Sequence, residues 1–149
     1  MMRALVTGAG GFVGGALARA LQARGDDVVT LQRSPVPALE RDGIRCLRGD
    51  IGQRDDVMRA ATGCDVVFHV AAKVGGAGAR RDFERINVDG TQHVLDACGA
   101  EGVRRLVFCS SPSVVDAPEG VEFVDENVPY AARYLADYPR TKAMAEQLV

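Results

Sequence analysis

The chain has 149 residues, 47% hydrophobic and 26% charged, with a formal net charge of −2 at pH 7 and a pI near 5.7. That length suits one globular domain with a sizeable core, and the charge balance offers no basic footprint for nucleic acid and no polybasic patch for a membrane. No apolar run approaches the roughly 18 residues that a membrane span needs, and no signal-peptide core follows Met1-Met2-Arg3, so a soluble protein is expected.

Ala4-Leu5-Val6 is a short apolar run ended by Thr7-Gly8, which predicts a buried strand. Phe12 to Arg24 carries apolar residues at helical spacing, and Gly25 stands where a helix C-terminus favours glycine. Val28 to Leu31 reads as a β-branched second strand. Residues 33–43 read as a loop, with Pro35 and Pro37 blocking regular structure. Ile44 to Leu47 predicts a third strand, Gln53 to Ala61 a short helix, and Asp65 to Val70 a fourth strand. The segment "KVGGAGA" from Lys73 to Ala79 is glycine-rich and expected to be mobile. A long helix follows, with Phe83, Ile86, Gly90, Val94 and Ala97 along one face and Gly99 as its stop. Arg105 to Cys109 predicts a fifth strand, residues 112–133 a long loop, and a last helix begins near Asp137. Strands separated by helices imply parallel β-α-β units with right-handed crossovers. The expected fold is α/β, a doubly wound parallel sheet of Rossmann type with about five strands, whose ligands bind at the carboxyl ends of the strands.

Gly8, Gly10, Gly11, Gly14 and Gly15 crowd the junction of the first strand and first helix. The pattern G-x-G-x-x-G fails from Gly8 because Val13 occupies its last position, whereas G-x-x-G-x-x-G fits at Gly8, Gly11 and Gly14. Gly8 permits a tight turn, Gly11 lets backbone approach a pyrophosphate, and Gly14 lets the helix lie close to the strand. The pyrophosphate would sit on the helix N-terminus, where free N–H groups and the macrodipole favour negative charge. At the end of the second strand an acidic residue would hold an adenosine ribose 2′-hydroxyl. Here Gln32 is followed by Arg33, which could pair with a 2′-phosphate, so NADP(H) is favoured over NAD(H). Asp50-Ile51, after the third strand, could contact adenine through a carboxylate and an apolar side chain; a simple turn aspartate is the alternative.

Cys46, Cys64, Cys98 and Cys109 form no C-x-x-C pair and have no histidine at ligand spacing, so no metal and a reducing, cytoplasmic compartment are expected. Lys73 and Lys142 are the only lysines. Tyr138 and Lys142 stand at i and i+4 at the start of the last helix, on one face, with Asp137 able to cap it and Pro139 tolerated in its first turn. An ammonium beside a phenol stabilises phenolate, which lets a tyrosine give a proton to a ketone as hydride arrives, or take one from an alcohol in reverse. Tyr130 and Tyr134 have no lysine four residues on. Ser111, in "CSSPSVV" at the end of the fifth strand, could hold the substrate oxygen; Ser110 and Ser113 are the alternatives. No G-x-S-x-G is present, which argues against a hydrolase, and His69, ending a buried strand, is expected to be structural.

In order along nearly the whole chain, "TGAGGFVG", "GDI", "VFHVAA", "INVDGTQHVLDAC", "VRRLVFCSS", "DENVPY" and "YPRTK" resemble the N-terminal part of an extended short-chain dehydrogenase/reductase. The stretches "SSPSVVDAPEG", "AAKVGG" and "YPRTKAMAE" resemble its 3β-hydroxysteroid dehydrogenase-like branch, which includes 2-alkyl-3-ketoalkanoic acid reductases; sugar-nucleotide epimerases and dehydratases usually carry tyrosine where Val115 stands. The resemblance implies catalytic roles for Ser111, Tyr138 and Lys142, with Lys142 also bonding the nicotinamide ribose. It implies that Thr7, Gly8, Gly10, Gly11, Phe12, Val13 and Gly14, then His69 to Ala72 with Lys73, line the cofactor, Ala71 and Ala72 among them. The expected activity is an NADP-dependent interconversion of a secondary alcohol and a ketone on a small-molecule substrate. A sugar-nucleotide epimerase or dehydratase, and a cofactor-binding fragment without turnover, are the alternatives. A homodimer is expected from the family's helix-bundle interface. The sequence ends at Val149 within the last helix, so the fold is expected to be C-terminally truncated, without a sixth strand or the region that selects substrate.

Overall fold

The computed structural model describes residues 1–75, 78–115, 125 and 127–149. Strands β1 (Arg3–Thr7), β2 (Asp27–Gln32), β3 (Arg45–Arg48), β4 (Val66–His69) and β5 (Arg105–Phe108) form one sheet in the order β3-β2-β1-β4-β5. Every pairing is parallel, with Leu5 opposite Val29 on one side and Val67 on the other. The chain leaves β1 towards β2 and β3, then crosses back to β4, so the carboxyl ends of β1 and β4 flank the point where strand order reverses.

Alternation along the strands sends successive side chains to opposite faces, and both faces are covered. Leu5, Val29, Leu31 and Val67 meet Val57, Ala60 and Ala61 of α3 (Arg54–Ala61) and Val94 and Ala97 of α5 (Gly90–Glu101). Ala4, Val6, Val28 and Val66 meet Ala18 and Leu21 of α1 (Phe12–Ala23) and Leu39 of α2 (Pro37–Arg41). Burying each such side chain contributes about 1.5–3 kcal/mol. β5 departs from this: Arg105 and Val107 are exposed while Leu106 packs against the core.

Four local expectations are revised. The segment expected to be an unbroken loop contains α2, because Pro37 occupies the first turn, where its missing N–H costs nothing, and Leu39 is drawn to 0% exposure. Gly99 does not stop the long helix, which runs to Glu101; Gly102, at φ +67°, ends it. That helix begins as α4 (Arg80–Phe83), widens into a π-helical turn over Glu84–Asp89 and continues as α5. In α6 (Asp137–Glu146) the N-cap is Ala136, and the Asp137 carboxylate, already in the first turn, receives Arg140 at 3.0 Å instead of capping. Of the long loop, Pro112–Val114 forms a 3₁₀ turn, while residues 116–124 and 126 lie outside the described residues, as do 76 and 77 of the glycine-rich segment.

Candidate active and cofactor site

The turn after β1 is built around missing side chains. Gly8 has φ +74°, and a Cβ there would lie 2.7 Å from Ala71 Cα, so β4's outgoing strand end could not approach a larger residue. A Cβ on Gly14 would lie 2.5 Å from the Gly8 carbonyl oxygen and 3.0 Å from Ala9 Cα, which makes Gly14 the residue that seats α1 against the turn. At Gly11, the N-cap of α1, a Cβ would meet Gly8 O at an ordinary 3.4 Å, so the surrounding protein leaves room there. No side chain caps α1 and no acidic residue lies in its first turn, so its N-terminal N–H groups and dipole face outward beside exposed Phe12 and Val13. An open cradle at Gly11 beneath an uncapped helix N-terminus fits the pyrophosphate of a dinucleotide.

Thr7, 0% exposed, ties this turn to β4. Its hydroxyl accepts the Val70 and Ala71 N–H groups, both at 3.1 Å, and lies 2.8 Å from His69 Nδ1. His69 Nε2 lies 3.0 Å from the Thr91 hydroxyl, which itself donates to Asn87 O at 2.7 Å. Thr91 therefore accepts from Nε2–H, and Thr7 donates to the bare Nδ1, which assigns the neutral tautomer. Burial, reinforced by the Lys142 charge, pushes the His69 pKa down to about 3. His69 is structural, as expected, and among the described residues no group of His, Cys, Asp or Glu could hold a metal.

Asn87, 2% exposed, organises the neighbouring loop. Its Oδ1 accepts the Lys73 N–H at 2.7 Å, and its Nδ2 donates to Lys73 O at 3.0 Å and to the Thr141 hydroxyl at 2.9 Å. Lys73 is thereby held by its backbone, while its ammonium lies 4.9 Å from the Phe83 ring centroid. Asn87 is a site residue that sequence reasoning missed. A polar pair at i, i+4, Asn87 and Thr91, beside the apolar stripe of Ile86, Gly90 and Val94 was the available signal.

Thr141 carries α6 to this network, and the next residue is Lys142, only 3% exposed. Lys142 Nζ donates to the Cys109 carbonyl at 2.6 Å and lies 3.9 Å from the Phe108 ring centroid. Burial lowers its pKa to about 8, against the opposing effect of Cys109 and Glu146, so it remains cationic at neutral pH. Tyr138, half-buried, sits one helical turn before it. Ser111, half-buried just past β5, shares a 2.8 Å hydrogen bond between hydroxyls with Ser113, whereas Ser110 donates to Glu146. The anchoring of Lys142 on the end of β5 thus brings α6 to the serine-bearing turn. Tyr134 adds a second tie, donating to Val114 O at 2.6 Å.

At the other end of the sheet edge, Arg33 is exposed and Arg48 Nε donates to its carbonyl at 3.3 Å. Gln32 Oε1 is buried and has no hydrogen-bond partner among the described residues, an acceptor of the kind a ribose hydroxyl would satisfy. Asp50 is half-buried and Ile51 is 6% exposed, side by side after β3.

The sequence over residues 5–149 matches the model of the 3-beta hydroxysteroid dehydrogenase/isomerase family. The chain is 44% identical over 150 residues to the 2-alkyl-3-oxoalkanoate reductase of Stenotrophomonas maltophilia (strain K279a), covering 99% of this chain and 46% of that protein. It is 36% identical over 154 residues to the 3-beta-hydroxysteroid dehydrogenase of Mycolicibacterium neoaurum, covering 99% and 42%. Among solved structures, a short-chain dehydrogenase/reductase superfamily protein from Agrobacterium tumefaciens with bound NAD matches with a TM-score of 0.84 and 34% identity, over 98% of this chain and 43% of that one. The chain thus spans less than half the length of these relatives.

Proposed function

Because the chain belongs to the 3-beta hydroxysteroid dehydrogenase/isomerase family, we propose that it is the cofactor-binding and proton-transferring part of an NADP(H)-dependent oxidoreductase that interconverts a secondary alcohol and a ketone. The observation that carries this is the buried Lys142 ammonium, anchored on the Cys109 carbonyl one helical turn after Tyr138 and beside the Ser111 turn. Bound NADP(H) supplies or accepts the hydride. In the reducing direction Tyr138 gives its hydroxyl proton to the carbonyl oxygen, and Lys142 steadies the phenolate left behind. Ser111 holds the same oxygen by a hydrogen bond, and solvent returns the proton to Tyr138. The Gly8–Gly14 turn and the N-terminal N–H groups of α1 would hold the pyrophosphate of NADP(H), with Phe12 and Val13 flanking them. Ala71, Ala72 and the Lys73 backbone, held by Thr7 and Asn87, line the nicotinamide side.

Arg33 supports a preference for NADP(H): it is exposed just after β2, which ends in Gln32 rather than an acidic residue. The substrate belongs to the class of the relatives' own, a 2-alkyl-3-oxo acid or a 3-hydroxy or 3-keto steroid. Four free cysteines suit a reducing, cytoplasmic setting, and no described helix is long and apolar enough to cross a membrane.

Titration with NADPH and NADH, followed by nicotinamide fluorescence, tests the cofactor. Saturable binding with tighter NADPH is expected, and Arg33→Ala should narrow the gap; equal affinities would overturn the 2′-phosphate assignment. With a 2-alkyl-3-oxo acid, Tyr138→Phe should keep NADPH binding and lower turnover by roughly 10²–10⁴-fold. Turnover unaffected by that change would overturn the proton-transfer role, and binding of UDP-glucose would favour an epimerase instead.

A further inference from the structure

Arg85 lies in the π-helical turn, two residues before Asn87 and therefore on the opposite side of the helix. While Asn87 holds Lys73 and Thr141, Arg85 Nη1 donates to Asp50 Oδ2 at 3.0 Å. Asp50 Oδ1 accepts the Gly52 N–H at 2.9 Å, so each carboxylate oxygen is fixed by one donor and keeps a lone pair free. The Asp50 N–H is itself taken by Asp56 Oδ2 at 2.9 Å.

An ion pair with a 41% exposed arginine is weak evidence alone, since such pairs contribute little to stability. Gly52 shares this carboxylate with Arg85 through its backbone N–H. A Cβ there would overlap the Arg85 guanidinium, reaching 2.9 Å from Cζ, although the Gly52 backbone does not have the left-handed φ that demands glycine. The contact is with the far end of a flexible side chain, which can shift to relieve it. The same helix grips the next residue twice: His93 Nδ1 donates to Ile51 O at 2.9 Å, and a Cβ on Gly90 would lie 3.0 Å from Ile51 Cδ1.

We propose that Arg85 is a positioning residue for base recognition, holding the Asp50 carboxylate, together with the Gly52 N–H, at the angle that accepts the exocyclic amine of adenine. This rests on adenine lying at Asp50-Ile51. Released from Arg85, the carboxylate keeps only the Gly52 N–H on Oδ1 and turns Oδ2 towards solvent, so adenine loses its advantage over a base with a carbonyl in place of the amine.

The probes are NADPH and its hypoxanthine analogue, in which an oxo group replaces the amine. The wild-type chain is expected to favour NADPH by roughly tenfold, the size of one hydrogen bond to a charged group. Arg85→Gln should bring that ratio close to one with little change in affinity for the analogue. Arg85→Lys should restore most of the preference. A merely structural role would weaken both cofactors alike and leave the ratio unmoved. An unchanged ratio in Arg85→Gln, alongside its loss in Asp50→Asn, overturns the role of Arg85 and leaves the adenine site standing. Absence of any preference in the wild type overturns both.

Discussion

Lys142 holds a charge where the protein offers it one carbonyl and the face of an aromatic ring. Its pKa falls to about 8 from 10.5, burial being the cause. Between those values the unfolded chain binds more protons than the folded one, so stability rises with pH across that window. Below about pH 8 both states are protonated and the fold bears the full desolvation cost, on the order of 3 kcal/mol. Lys142→Met, of similar length and apolar, should therefore match or exceed the wild type in denaturant midpoint at pH 7, lose that advantage above pH 10, and be inactive with a 2-alkyl-3-oxo acid. Urea unfolding at the two pH values checks this; a variant less stable at pH 7 and no better relative to wild type than at pH 10 would contradict it.

The first β-α unit separates two uses of glycine that look identical in the sequence. Gly14 is boxed by backbone on both sides, so a methyl group there has no rotamer to escape into. Gly14→Ala should lower stability by about 1–3 kcal/mol and weaken cofactor binding together. Gly11 has room towards the protein and caps α1 without a side-chain bond. Gly11→Ser should therefore keep or raise the melting temperature, since serine is a good N-cap, while weakening NADPH because its side chain stands where the pyrophosphate approaches. Calorimetry with and without NADPH separates the two; equal losses of stability would mean that Gly11 serves packing alone. The π-helical turn points Arg85 to Asp50 on one side and Asn87 to Lys73 on the other.

Across the whole molecule the two sheet edges differ. β3 carries exposed Arg45 and Arg48, a charged edge that discourages further strand pairing. β5 presents Val107, 43% exposed, and α6 presents Met144, 40% exposed. Self-association through the β5 side is expected, giving a concentration-dependent dimer by light scattering that Val107→Lys shifts to monomer. A wild-type chain that stays monomeric across the concentration range would rule this out.

The order of elements, the parallel sheet and the glycine turn were legible because hydrophobic period and glycine placement are local signals. So was the i, i+4 spacing of Tyr138 and Lys142, which follows from helix geometry alone. α2 and the true helix end at Gly102 were not, because Leu39 finds its buried place only against β-strand side chains, and Gly99 is conformationally ordinary once the helix is supported. The chain also does not announce that Asn87 reaches Lys73 and Thr141, that Thr7 meets His69, or that Arg85 reaches Asp50, since partners 14 to 62 residues apart meet only when the sheet has closed. Sequence by itself determined the doubly wound sheet and the glycine turn after β1, for which periodicity and small residues suffice. Tertiary structure alone decided which polar groups are buried together, and hence the charge on Lys142 and the tautomer of His69, because desolvation and hydrogen-bond partners are properties of the packed chain.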